Sequence, residues 1–286
     1  MPDATIHQSP GFTLGPNNYG KSGVRLVHVS RDSARHEIRD LTVATALSGD
    51  LAATHYTGDN TGVLPTDTQK NTVYALARDG IGPVEAFAER LARHFVDRTP
   101  SITDARVQIE EQAWSRLGEH SFSRGEGGEL RTTEVVYDGR AAAVTSGIRD
   151  LLLLNTTDSE FNGFLADEYT TLPETDDRIL ATAVTATWAY TEAPADFDAA
   201  FAAARAALLE AFAGTYSLSL QQTLYAVGER ILKAIPEVGE VRLSLPNRHH
   251  YLFDLGRFGL DNPGVVFQAG DLPYGLIEGT VRREAA

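Results

Sequence analysis

Cysteine is absent from the 286-residue chain, which excludes disulfides, iron–sulfur clusters, zinc–thiolate centres and thiol nucleophiles together. Long apolar runs are missing too. No stretch approaches the roughly 20 residues that a bilayer-spanning helix requires, so no membrane span or membrane partner is expected. Basic residues are in the minority: 25 Lys and Arg stand against 39 Asp and Glu, a formal net charge of −14. That balance disfavours nucleic acid and anionic membrane surfaces, because neutralising phosphates takes a surplus of cations on one face. An anionic small substrate then depends on local cations. The sequence opens without a basic cluster leading into an apolar stretch, and Glu284-Ala285-Ala286 is no peroxisomal tripeptide. Cytoplasm is therefore the simplest expected address.

Metal and dinucleotide signatures are also lacking. The eight histidines are scattered, and no His-Glu-x-x-His helix or Gly-x-Gly-x-x-Gly fingerprint occurs, so neither a metal nor a nicotinamide or flavin cofactor is expected. One phosphate-loop spelling does occur, Gly15-Pro16-Asn17-Asn18-Tyr19-Gly20-Lys21-Ser22. A working phosphate loop sits between a buried strand and a helix whose N-terminal amides cradle the phosphates. Here Ser9-Pro10-Gly11-Phe12 precedes it and β-branched residues follow, so the nucleotide reading is rejected.

What is present is an ordinary globular composition, 42% hydrophobic and 22% charged, on a length that permits one large domain or two modest ones. Residues 24–29 are β-like, and residues 38–47 place Leu41, Val43 and Leu47 on one face, so the two predict a hairpin. Helices follow at 71–78 and from Pro83, where Val84, Phe87, Leu91 and Phe95 form a stripe, and then strands at 106–114 and 131–137. The order then recurs. Strands at 147–155 and 183–190 lead to helices at 197–212 and 220–235, then to strands at 241–245 and 275–282.

The predicted class is α+β, with tandem ββααββ repeats whose antiparallel strands carry helices on one face: a tail at 1–18, a first repeat at 19–139 and a second at 140–286. Open sheet edges need covering, and assembly of several subunits into a larger barrel is a natural solution. Gly125 to Gly128 reads as a mobile loop tip, and disorder is the default for residues 1–18.

Five segments carry chemistry: Tyr19-Gly20-Lys21; Thr66-Asp67-Thr68-Gln69-Lys70-Asn71-Thr72; Phe161-Asn162-Gly163-Phe164 through Tyr169-Thr170-Thr171-Leu172 to Asp177-Arg178-Ile179-Leu180; Leu220-Gln221-Gln222-Thr223; and Ser244-Leu245-Pro246-Asn247-Arg248-His249-His250. Taken singly, each has an ordinary reading. Arg178 beside Asp176 and Asp177 reads as a surface ion pair, Phe161, Leu172 and Leu220 as core packing, Lys21 as a solvated charge and Thr66 as structural.

In this order and approximate spacing, the five segments resemble the uricases, urate oxidases that need no cofactor, over Tyr19 to about Arg282. The resemblance implies the tunnelling fold (T-fold) and a homotetramer around a central tunnel. Its sites lie at subunit interfaces: Lys21, Thr66 and Asp67 from one subunit, and Phe161, Leu172, Arg178, Leu220, Gln221, Asn247 and His249 from the neighbour. It implies oxidation of urate by O2 and water to 5-hydroxyisourate and hydrogen peroxide.

The residue types suit that chemistry. Phe161 stacks on a flat purine and Leu172 and Leu220 rim it, while Arg178 and Gln221 clamp its polar edges. Lys21 is the expected base, provided burial or neighbouring cations lower its pKa; Thr66 relays the proton and His249 extends the relay. Asn247, with Thr66, is expected to hold oxygen and then water above the ring. Pro65, Arg248 and Leu220 depart from the family pattern without removing a functional group. Two alternatives stay open: another T-fold enzyme acting on a pterin or purine, and a noncatalytic purine-binding protein. Zinc-dependent cyclohydrolases of that fold need cysteine ligands, which this chain lacks.

Overall fold

The computed structural model describes residues 11–124 and 128–284, with the backbone alone at Asp271. Of the loop expected at Gly125 to Gly128 only Gly128 is described, and residues 1–10 of the expected tail lie outside the described residues. The chain forms two compact units whose division falls between Ser146 and Gly147, with residues 128 and 129 joining the second. Among the described residues, no helix is long and apolar enough to cross a membrane.

The first unit contains β1 (Tyr19–Ser30), β2 (Glu37–Gly49), α1 (Ala52–Tyr56), α2 (Thr66–Ala77), α3 (Val84–Arg98), β3 (Ile102–Gln112), β4 (Trp114–Arg116), β5 (Phe122–Arg124) and β6 (Leu130–Tyr137). Strands run β1-β2-β3-β6, all antiparallel, with Leu26 opposite Leu41, Val43 opposite Ile109 and Val107 opposite Val135. Alternation in the sequence becomes two faces here: Leu41, Val43, Ala105, Val107, Ile109 and Val135 are fully or almost fully buried. The buried stripe of α3, Val84, Phe87, Leu91 and Phe95, packs onto β3 and β6. The spelling at Gly15 to Ser22 leads into β1 and not into a helix, so the anion cradle of a phosphate loop has no basis. Within residues 11–18, the Leu14 amide donates to the Tyr56 hydroxyl at 2.7 Å and the Ser48 hydroxyl to the Asn17 carbonyl at 3.0 Å.

β7 (Ala142–Asn155) starts in the first unit and continues into the second. The second unit adds β8 (Leu180–Tyr190), α4 (Phe197–Gly214), α5 (Leu220–Ala234), β9 (Val238–Leu252) and β10 (Phe267–Arg282), in strand order β7-β8-β9-β10. Its core joins Ile148, Val184 and Trp188 of the sheet with Leu208 and Phe212 of α4 and Leu224 and Ile231 of α5. Both helices start on a capping side chain: Asp196 accepts from the amides of Asp198 and Ala199 at 2.9 and 3.1 Å, and Ser219 from Gln222 at 3.2 Å. Gly228 lets α5 close on the sheet, since a Cβ there would fall 2.5 Å from Val281 Cγ2. Strands β9 and β10 run beyond this core as a hairpin arm pairing His249 to Leu252 with Gly270 to Phe267, past a register shift between Gly270 and Gly275.

Candidate active site

The segment between β7 and β8 has little regular structure, and cross-links hold it in place. Phe161 and Thr175 exchange backbone bonds of 2.9 and 3.3 Å, and the Arg178 amide donates to the Ser159 carbonyl at 2.8 Å. Ser217, two residues before the Ser219 cap of α5, is bonded to this same segment through Asp158 and Glu160, both at 2.9 Å. These bonds bring Phe161 and Arg178 together, with the guanidinium carbon 5.2 Å from the Phe161 ring centroid. Both line a cavity of about 600 Å³ with Leu172, Pro173, Asn247, His249, Tyr251 and Phe267 among its walls. Asn247 is placed by its strand neighbours, opposite Thr182 of β8 and Gly275 of β10, and His249 stands two residues further along the arm.

Arg178 is the least compensated polar group in this wall. Its Nε is buried without a hydrogen-bond partner, and among the described residues no carboxylate lies within ion-pair distance. Burial accordingly lowers its pKa from the ordinary value. The surface ion pair with Asp176 or Asp177 does not form: Asp176 accepts instead from the Asn162 side chain at 2.9 Å and Asp177 from the Thr157 hydroxyl at 3.0 Å. Burial, then the positive charges of Arg178 and His250, likewise push the His249 pKa down and favour the neutral ring.

The remaining second-unit candidates lie apart from this wall. Leu220 is the first residue of α5 and belongs to the buried core, while Gln221 beside it is exposed; neither lines the cavity. Arg248 sits on β9 opposite Ala181. Sequence reasoning did not single out Phe164, Tyr251 or Phe267. Phe164 had a signal, its place in the Phe161-Asn162-Gly163-Phe164 segment; the other two had none, because the arm that carries them has no clean alternation.

In the first unit, Lys21 sits where the β1–β2 register slips, between its own pairing with Thr45 and that of Val24 with Val43. Its amide donates to the Thr45 hydroxyl at 3.2 Å, and that hydroxyl donates to the buried Gln69 side-chain carbonyl at 2.7 Å. Tyr19 closes the bracket by donating to the Leu64 carbonyl at 3.0 Å and accepting from the Leu64 amide at 2.9 Å. Burial raises the pKa of this phenol, the bond to Leu64 opposing the rise. The start of α2, with Thr66 and Asp67, is thereby held against the strand carrying Lys21. Asp67 bonds Lys70 at 2.5 Å and Asn71 at 3.0 Å; Lys70 chiefly lowers its pKa, and the charge of Lys21 contributes. Pro65 is the N-cap and leaves the helix intact, since its carbonyl accepts the Gln69 amide at 3.1 Å and its missing N–H is not needed there.

Among the described residues, no group of three or more His, Asp or Glu side chains converges as a metal site would require. The uricase family model matches residues 17–141 and 144–278, nearly the whole chain in two stretches. The chain belongs to the uricase family. It is 50% identical over 287 residues to the uricase of Arthrobacter globiformis, covering 99% of this chain and 95% of that protein. The uricase of Dictyostelium discoideum is 37% identical, with 95% of this chain and 98% of that protein covered. The crystal structure of the Arthrobacter globiformis uricase superposes with a TM-score of 0.93 over 96% of each chain. The α+β T-fold expectation for this uricase-family chain is therefore upheld.

Proposed function

We propose that the second-unit cavity is where this uricase-family enzyme binds urate, and that its chain oxidises urate with O2 and water to 5-hydroxyisourate and H2O2 without metal or flavin. The observation that carries the site is the Arg178 guanidinium, desolvated beside Phe161 with a buried, unpartnered Nε. A charged donor partly withdrawn from water without a partner is costly, and an anionic ligand with planar acceptors offsets that cost. Phe161 supplies the stacking face and Leu172 an apolar rim; Gln221, exposed at the start of α5, serves another edge of the substrate, while Leu220 belongs to the core beneath it.

Lys21 takes a proton from bound urate through the Thr66 hydroxyl, leaving a dianion rich enough to reduce O2 directly. Asn247 and Thr66 hold oxygen over the ring, and Asp67 orients Thr66. Oxygen adds at C5 as a hydroperoxide; peroxide then leaves, and water activated through His249 delivers the hydroxyl. Both oxygen atoms of O2 end in H2O2, and the new hydroxyl comes from water, so the step balances without an external reductant.

The described wall of the cavity contains Arg178 and two histidines but no lysine, so the base comes from elsewhere. We place it on a second copy, whose Lys21, Thr66 and Asp67 complete the site within a homotetramer. Exposed apolar groups around the cavity support this: Leu172, Tyr251, Leu252 and Val265 are each more than half exposed in the single chain. Peroxide release on adding urate to chelator-treated, flavin-free protein is the test. Stoichiometric peroxide is expected; urate binding without peroxide would mark a noncatalytic purine-binding protein, and activity lost on chelation would overturn the cofactor-free mechanism.

A further inference from the structure

An aromatic ring that stacks on a substrate works best when its own plane is fixed beforehand. Phe161 has such a support. Phe164 lies nearly parallel to it, with ring centroids 5.0 Å and planes 15° apart. The cavity wall includes Phe161 and Arg178 but not Phe164, so the partner ring of this stack is not itself part of the wall. Neither ring belongs to the hydrophobic core of the second unit, so this stack is not an extension of core packing.

The backbone is arranged to bring the rings together. Gly163 turns the chain with φ +67°, in the left-handed region, and its amide donates to the Glu174 carboxylate at 2.8 Å. The Asn162 side chain donates to Asp176 at 2.9 Å, which ties the other side of the turn. We infer that Phe164 is a positioning residue: backed by this turn, it fixes the plane of Phe161, beside the Arg178 guanidinium, for contact with a purine in the cavity. The inference rests on the reading of Phe161 as the substrate-facing ring. Holding that plane before binding lowers the ordering cost on association, and an aromatic pair supplies the restraint.

The test compares Phe164→Leu, Phe164→Tyr, Phe161→Leu and the Phe161→Leu/Phe164→Leu double variant in the assembled protein. Urate binding is measured in oxygen-free buffer, where no turnover occurs, and steady-state rates are measured in air. Phe164→Leu is expected to weaken binding by about 3- to 10-fold, the scale of an aromatic pair, and to raise KM more than it lowers kcat. Phe164→Tyr, which keeps the flat face, restores binding. Because Phe164 acts through Phe161, the double variant binds no more weakly than Phe161→Leu alone. Should Phe164→Leu fail to fold, Phe164→Met takes its place in the same cycle. Normal binding by the Phe164 variant, or losses that simply add in the double variant, would overturn the inference. If Phe161→Leu itself binds urate normally, the reading of the site fails and this inference falls with it.

Discussion

Two arginines, Arg131 buried in the first unit and Arg178 half-buried in the second, show how differently the same side chain is used. Arg131 in the first unit sits among counter-charges: it meets Glu85 at 2.7 Å, and Glu85, fully buried, also accepts from Ser146 at 2.6 Å. Glu111 stands nearby at 3.8 Å and is itself bonded by Arg39 at 2.9 Å. Arg178 in the second unit has no carboxylate beside it to oppose its desolvation, only an aromatic ring at its side and a cavity in front. A charge buried with its counter-charge holds a fold together, whereas one left without it is kept for something that arrives later.

The largest effect that sharpens this contrast is on stability. Glu85→Ala strands Arg131 in the interior and is expected to cost about 3 to 5 kcal/mol, read by urea or thermal unfolding. Arg178→Leu removes a charge that has no protein partner, so it should leave unfolding unchanged or raise the midpoint. A large destabilisation by Arg178→Leu would make that arginine structural and erase the contrast.

A second comparison separates the units by their chemistry. Lys21→Met, in the first unit, is expected to lower the maximal rate by about 10²-fold or more while urate affinity falls little. Arg178→Gln should mainly weaken binding, by about 1.5 to 3 kcal/mol or roughly 10- to 150-fold. Steady-state rates paired with direct binding distinguish the two, since KM alone need not equal a dissociation constant. A normal maximal rate in Lys21→Met would move the base to another group.

The smallest effect concerns His249, whose pKa burial, Arg178 and His250 hold below the ordinary 6.5. In weakly acid solution the unfolded chain therefore binds more protons at this residue than the folded one. The contribution to stability falls as pH drops through about 6.5 and levels off once the folded ring also protonates. Arg178→Gln removes one positive neighbour, so the His249 midpoint should rise while staying below the ordinary value, because burial is the larger cause. An imidazole titration by NMR reads it directly; an unmoved midpoint would show that the two groups are not coupled.

Elements with strong periodicity were legible in the sequence, and those fixed by particular contacts were not. The stripe from Val84 to Phe95 and the capped α5 read directly as helices. The expected helix at 71–78 instead starts at Thr66, because Pro65, which looks from sequence like a turn, serves as the N-cap, its carbonyl accepting the first helical bond and its missing N–H not being needed. The β4–β5 hairpin was not read at all, its three-residue strands being too short for a pattern. Arg116 fixes that hairpin, donating to the His36 carbonyl at 2.6 Å and the Glu37 carboxylate at 2.8 Å. The strand expected at 241–245 continues to Leu252, beyond the core where burial no longer enforces alternation.

By itself the sequence determined the tandem order of elements, the absence of thiol chemistry and the segments that mark the family, because composition, period and motif spelling are local properties. Only the tertiary structure decided that Phe161, Arg178, Asn247 and His249 share one wall while Leu220 turns into the core. Only it decided that the Arg178 guanidinium meets an aromatic face in place of the neighbouring aspartates. Those outcomes depend on which distant strands and loops pack together, and solvation, which sets the pKa of Arg178 and of His249, exists only once they have done so.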